Sequence, residues 1–216
     1  MPGSAVDVPD GIVIIEEFVD ADTMSAIVDY ADGQIGLINK VGVVEPDGRL
    51  GATRNDGFSS DRIYATGIHD LATEICNKIF GEVIPDNYGH EVEWYEYPHI
   101  IRYRIGGNYG AHADSENWDD EKSAWVRGVN RDYSAILYIN DQFEGGPLYF
   151  PQHDFRVFPK PGLLVCFPSD GRYVHQAEPV TRGIRYAFVT WAAAQGTPRA
   201  SNQQPDEFEL VYMKDQ

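Results

Sequence analysis

Cysteine is nearly absent from this chain, with two in 216 residues, Cys76 in EICNKIF and Cys166 in LLVCFP. Both stand in apolar surroundings, so each reads as a small buried thiol rather than as half of a disulfide. The compartment expected from this is reducing and cytoplasmic. No stretch approaches the roughly 20 consecutive apolar residues that a membrane-crossing helix requires, so no membrane partner is expected. The opening MPGSAVDVPDG has neither the basic nor the apolar region of a secretory signal. Bases are outnumbered two to one, 17 against 34 acids, for a net charge of −17. Proteins that grip nucleic acid by its phosphates present a basic face. None is visible here, which counts against a nucleic-acid partner and mildly favours neutral or cationic ones.

What the chain does have is apolar content of 43% with 12% aromatic residues, enough for a real core. Its length suits a single domain. Three parts are expected within it: a helical support region with a lid loop at 1–90, a β core at 91–195, and a tail at 196–216. In the first part, GIVIIEEFV reads as a strand or buried entry segment. DADTMSAIVDYADG then offers Asp20 or Asp22 as N-cap, apolar residues at helical spacing and Gly33 as a stop. KVGVVEPDGRLGATRNDGFSS holds four glycines and a Pro-Asp-Gly turn, and so reads as a mobile loop or hairpin. A second helix is predicted over roughly Asp61 to Phe80, capped by Ser59 or Ser60, with Ile68, Leu71, Ile75 and Ile79 as its stripe.

From residue 91 the period changes. EVEWYEYPHIIRYRI, YSAILYIND, GPLYFP, LLVCFP, YVHQAEPV and IRYAFVTWAA are rich in strand formers, and turn residues separate them. Two helices followed by seven or eight short strands predict a mainly β protein. The expected core is a double-stranded β-helix, a jelly roll of cupin-like type, with two or three α-helices supporting one face. In the tail, FELVYM is a candidate returning strand.

The stretch GGNYGAHADSENW carries His112 and Asp114 two residues apart, a spacing that puts both side chains on one face of a strand. The pair alone does not distinguish a metal site from chance. His175, in RYVHQAEPV, is a third candidate on a later strand. Two histidines and one carboxylate make the facial set that holds non-haem Fe(II) and leaves three positions open. Zinc is the alternative, although it prefers four-coordinate sites. Three open positions suit a two-donor cosubstrate, and 2-oxoglutarate supplies a keto oxygen beside a carboxylate. Its far carboxylate then needs a buried cation. Arg185 lies ten residues after His175 across the TRG turn, and its planar fork matches a carboxylate. Arg182 is nearer but sits in the turn itself, where solvation is expected. His69, His90, His99 and His153 have no ligand partner at a suitable place and read as structural or surface residues.

These words in this order, YRIGGNYGAHAD, RDYSAILYIND, EGGPLYFP and PKPGLLVCFPSDGRYVHQAEPVTRGIRYAFVTW, resemble the 2-oxoglutarate/Fe(II) dioxygenase superfamily, and within it the prolyl 4-hydroxylase-like branch. The resemblance covers roughly Ile100 to Ala192. It implies that His112, Asp114 and His175 ligate iron, that O2 is a substrate, and that Arg185 clamps the distal carboxylate of 2-oxoglutarate. It further implies that Tyr138 shares that carboxylate, that Tyr103 lines the same pocket, and that Tyr109 stands at the mouth. Trp191 matches an aromatic pocket wall in hydroxylases of hypoxia-inducible transcription factors. Collagen-type enzymes carry Lys and Thr where Arg185 and Leu148 stand here, so these two positions are closer to the oxygen-sensing hydroxylases. Ascorbate is the reductant implied.

By resemblance, the expected reaction is hydroxylation of a C–H bond, coupled to decarboxylation of 2-oxoglutarate to succinate and CO2. The expected substrate is a proline in a peptide or protein, hydroxylated at C4, and the enzyme is expected to be a monomer or homodimer. The same apparatus acting on a free amino acid or another small molecule is the alternative within enzymes. A non-catalytic jelly-roll binding module is the alternative outside them. Two segments are candidates for holding the substrate. The loop at 40–58 offers Arg54 and Asn55 as a closing lid. The insert from Ser115 to Arg131 offers Trp118, Trp125 and Arg127.

Overall fold

The computed structural model describes residues 7–38, 41–44, 50–53, 60–199 and 209–215. A nine-stranded sheet forms the backbone of the fold. Its order runs Val13–Ile15, Leu164–Pro168, Tyr133–Tyr138, Arg185–Ala194, His99–Tyr103, Asp61–Tyr64, Leu37–Ile38. Val92–Glu96 pairs with the far end of Arg185–Ala194 and is itself edged by Leu210–Tyr212, so FELVYM does return as a strand. A four-stranded sheet faces it, ordered Phe155–Val157, Leu148–Phe150, His175–Ala177, Tyr109–His112. Every pairing within both sheets is antiparallel. This is the expected double-stranded β-helix.

Strand alternation divides the interior into two cores. Along Arg185–Ala194, Tyr186, Phe188, Ala192 and Ala194 enter the core under the helices, while Ala187, Val189 and Trp191 enter the barrel. The helix-side core collects Ile27 and Ala31 from the Ala21–Asp32 helix and Ala72, Ile75, Cys76 and Ile79 from the second helical run. The barrel core joins Ile101, Val165 and Phe167 from the large sheet to Leu148, Phe150 and Phe155 from the small one. Ala21–Asp32 begins as its sequence predicts: Asp20 accepts the Thr23 N–H at 2.8 Å, and Gly33 closes the helix.

Two elements differ from the sequence reading. The predicted helix over Asp61–Phe80 does not begin at Asp61. Asp61–Tyr64 is a strand paired to His99–Arg102, because Ile63 is drawn into the helix-side core and Arg102 takes the Asp61 carboxylate at 2.9 Å. The helical run starts with a 3₁₀ turn at Ala65–Ile68 and continues as His69–Lys78. A π turn at Ile79–Val83 follows, and then Ile84–Tyr88, closed by Gly89 in the left-handed region. Ser60 is buried rather than capping, and Ser59 lies outside the described residues. The insert after Asp114 is a hairpin, Glu116–Asp119 with Ala124–Arg127, not an open loop. In the expected lid segment, Val41–Val44 pairs with Leu50–Thr53 as a hairpin, one of the two forms expected for it.

Phe188 is fully buried where the large sheet meets the helices. Phe188→Ala is expected to lower stability by about 3–5 kcal/mol, the usual cost of emptying such a site. Ile105→Ala, at a position 70% exposed, is expected to stay within about 0.5 kcal/mol. Urea denaturation followed by circular dichroism checks both.

Candidate metal centre and cosubstrate pocket

The small sheet sets two of the ligands by register: His175 pairs directly with His112, and their rings are 4.4 Å apart. Asp114 lies just past the strand, which ends at His112, and its carboxylate turns back between them. Nε2 of His112 is 3.2 Å from Asp114 Oδ1, and Nε2 of His175 is 3.6 Å from Oδ2. One ligand atom from each residue falls within 4.8 Å of the others. Each imidazole is oriented by its other nitrogen. Nδ1 of His112 donates to the Gly110 carbonyl at 2.9 Å, and Nδ1 of His175 to the Tyr173 carbonyl at 3.1 Å. Both Nε2 lone pairs then point at the same space, as metal-ligating histidines require.

The charges suit a divalent cation. Burial alone would raise the Asp114 carboxyl, but His175, His112 and Arg131 overcome it and hold the group ionised, far below the usual carboxylate range. Burial pushes His175 down to about 4, against the pull of Asp114. A neutral imidazole with a free Nε2 is the ligating form. Two imidazoles and one carboxylate gathered on one spot fit Fe(II).

Sequence reading missed the supports of Asp114. Ser134 donates to Oδ2 at 2.6 Å, and Ser169 Oγ lies 2.7 Å from Ser134 Oγ. Arg131 donates to the Asp114 carbonyl at 3.2 Å and stacks 4.0 Å from the Trp191 ring. Its other nitrogens grip the buried Glu96, one of them at 2.6 Å. Burial works against the Arg131 charge, and Glu96 more than offsets it, holding the guanidinium above its ordinary value. Ser134 was findable, since it alternates with Ile136 and Tyr138 on the barrel face. The Arg131–Glu96 pair, 35 residues apart, left no local signal.

Arg185 is buried, at 1% exposure, with its guanidinium 4.0 Å over the Tyr103 ring. Tyr103 faces it in register, and Tyr138 stands opposite Ala187 on the same face. Burial raises both phenols, so they remain neutral hydroxyl donors. Nη1 of Arg185 donates to the Gly146 carbonyl, while Nε has no partner. No acidic side chain among the described residues pairs with Arg185. A buried cation with no counter-ion is costly, and it fits a ligand carboxylate. Gly146, in the turn before Leu148–Phe150, takes part in this subsite. A Cβ there would sit 2.8 Å from Arg185 Nη1, and its φ of +64° also favours glycine.

The remaining candidates divide. Leu148 is buried in the barrel core, and Tyr109 lies against His112 with ring centroids 4.4 Å apart. Trp191 stands between Arg131 and His99. Arg182 is exposed and pairs with Glu144, as expected. In the hairpin, Trp118 is 51% exposed and meets Trp125 edge-on at 5.7 Å, while Trp125 packs over Gly171. Arg127 is held by Asp132 at 3.1 Å rather than standing free for a substrate. Arg54 and Asn55 lie outside the described residues. His69, His90 and His153 are engaged by Tyr97, Tyr133 and the Arg172 carbonyl.

Loss of an outer-shell partner commonly weakens a metal site 10–100-fold. Ser134→Ala is therefore expected to weaken Fe(II) binding by about that factor in anaerobic equilibrium dialysis, with the fold retained. The pH response of the metal-free protein has a definite sign. His175 binds its proton less readily when folded, so stability is full above about 6.5 and is lost as pH falls toward about 4. The loss is on the order of 3 kcal/mol from this residue, read from urea melts at stepped pH.

A family model described as the 2OG-Fe(II) oxygenase superfamily matches residues 98–193. Prolyl 3-hydroxylase 2 of Rattus norvegicus is 44% identical over a 116-residue alignment that covers 45% of this chain and 16% of that protein, so the chain spans a small part of that relative. Among solved structures, a viral collagen prolyl hydroxylase from Paramecium Bursaria Chlorella virus-1 bound to 2OG superimposes with a TM-score of 0.63 at 18% identity, covering 85% of this chain and 97% of that one. A prolyl hydroxylase from Trichoplax adhaerens, in complex with a hypoxia inducible factor peptide fragment, gives 0.61 at 16% identity, covering 85% and 84%. The stretch that carries His112, Asp114, His175 and Arg185 is thus similar to the 2OG-Fe(II) oxygenase superfamily, and the fold is similar to that of prolyl hydroxylases.

Proposed function

We infer that this chain hydroxylates a prolyl residue of a peptide or protein, with 2-oxoglutarate converted to succinate and CO2. The observation that carries this reading is the complete His112–Asp114–His175 set in one barrel with Arg185, which has no acidic partner among the described residues, in a chain similar over part of its length to a prolyl 3-hydroxylase. Iron, when bound, supplies the redox chemistry that activates O2 and inserts oxygen into a C–H bond.

The protein's own residues do the rest. His112, Asp114 and His175 would hold the metal. Arg185 anchors the far carboxylate of 2-oxoglutarate with a charge-assisted fork, and the Tyr103 and Tyr138 hydroxyls lie beside it as neutral donors. Ile101, Leu148, Ala187 and Val189 wall this pocket with apolar surface and exclude water. Tyr109 and Trp191 flank the side left for the substrate. Of the two substrate segments, the Ser115–Arg131 hairpin is favoured for Trp118, whose ring is exposed on the hairpin that follows Asp114; Arg127 is committed to Asp132. A cytoplasmic setting is part of the same proposal, supported by two buried free thiols.

The test is mass spectrometry of proline-containing peptides after incubation with Fe(II), 2-oxoglutarate, O2 and ascorbate. A gain of one oxygen on proline with matching succinate is the expected outcome. Amino-acid analysis assigns the ring position, C4 by motif resemblance and C3 by the name of the rat relative. An oxidised free metabolite with no modified proline refutes the prolyl reading. Truncating one partner of a buried charge pair costs about 2–5 kcal/mol, so Arg185→Ala should weaken 2-oxoglutarate binding by roughly 30-fold or more.

A further inference from the structure

Two polar side chains on the barrel face have no role in the metal or 2-oxoglutarate subsites. On Asp61–Tyr64, Ile63 enters the helix-side core, so Arg62 and Tyr64 point the other way, opposite Ile101 and His99. His99 is 1% exposed, and neither ring nitrogen has a hydrogen-bond partner. The nearest carboxylate, Glu209 Oε1, is 3.9 Å from its Nε2, too far for a hydrogen bond, and already accepts from the Tyr64 hydroxyl at 3.2 Å. Nε of Arg62 is likewise buried without a partner, and no carboxylate among the described residues pairs with this guanidinium. In a chain of net charge −17, an arginine with no carboxylate partner among the described residues, and only the Tyr64 ring 5.7 Å from its guanidinium, is a local exception.

Both groups connect to the metal centre through the side chains beside them. The His99 ring is 6.3 Å from Trp191, which carries Arg131 on its face, and Arg131 holds Asp114. The Arg62 charge is felt by His99 and by Tyr109, whose ring lies against His112. His99 is paired with Val189, four residues along the strand from Arg185. At the strand rise that is about 13 Å, so this is not the 2-oxoglutarate subsite. Burial, then Arg62 and Arg131, press His99 down to about 3, so its ring is neutral and offers one N–H. Buried donors without partners are costly unless a ligand satisfies them. One guanidinium and one neutral imidazole match a single negative charge, and Glu209 beside them disfavours a doubly charged phosphate.

We propose that Arg62 and His99 form a carboxylate subsite for the substrate, so that the preferred peptide carries a carboxylate next to its target residue. The carboxylate comes either from an acidic neighbour or from the peptide's own C-terminus. The proposal rests on the prolyl reading for the target residue but not for the anion.

Calorimetry on the anaerobic enzyme loaded with Fe(II) and 2-oxoglutarate tests it. The probes are blocked short peptides with Glu or Gln beside proline, and proline-terminated peptides ending in a free carboxylate or an amide. Each is repeated with Ala in place of Pro. The acidic member of at least one pair should bind about tenfold tighter, the scale of one charge-assisted hydrogen bond, and the pair that discriminates identifies the source. Arg62→Gln should reduce this preference to within about twofold, and His99→Asn should reduce it in part, with 2-oxoglutarate affinity unchanged in both. Equal affinities in every pair overturn the proposal, as does an undiminished preference in Arg62→Gln or no peptide binding at millimolar concentration. An acid preference on both scaffolds without any oxidised proline on admitting O2 sustains the carboxylate subsite and refutes the prolyl reading instead.

Discussion

The carboxylate of Asp114 is the point where the two sheets of this barrel are tied together. It faces His112 and His175, which the register of the small sheet places side by side, and it accepts from Ser134 on the large sheet. Its own backbone is held by Arg131, which is anchored in turn on Glu96 of the large sheet. A buried carboxylate is stable only with such a set of partners. With Oδ2 taken by Ser134, Oδ1 remains toward His112, so the serine helps decide which oxygen meets a metal.

The other end of the pocket carries the opposite imbalance. Arg185 is buried with a carbonyl and an aromatic face for company and no carboxylate. The fold bears that cost because burial elsewhere offsets it, and the site is left complementary to a small dicarboxylate. An anionic centre that wants a divalent cation and a cationic wall that wants a carboxylate lie on one barrel face, within a shell of Ile101, Val165, Phe167 and Val189. That arrangement serves 2-oxoglutarate better than it serves a passive binding module.

Much of this was legible in the amino-acid order because strands alternate. The H-x-D spacing, the ten residues from His175 to Arg185 and the period-2 run through Tyr138 all translate directly into shared faces. What was not legible depends on contacts across long separations. Arg131 and Glu96 meet over 35 residues, and nothing local in RDYSAILY announces the pair. Asp61–Tyr64 was absorbed into a helix because four residues are too few to show a strand period, and the apolar stripe beginning at Ile68 runs on from them. His99 read as an ordinary structural histidine for the same reason. Only the fold shows that its nitrogens lack partners, and that Arg62 stands beside it on the barrel face. In the hairpin after Asp114, Trp118 and Trp125 face each other as a cross-strand pair, a register that composition does not announce.

The central claim is that one metal on His112, Asp114 and His175 and one 2-oxoglutarate on Arg185 share this pocket. Anaerobic titration of Fe(II) and 2-oxoglutarate, followed by visible absorption, tests it most directly. A weak charge-transfer band that saturates at one equivalent of iron, and that is lost in His112→Ala, is the expected result. A folded protein that binds neither component and shows no band would contradict it.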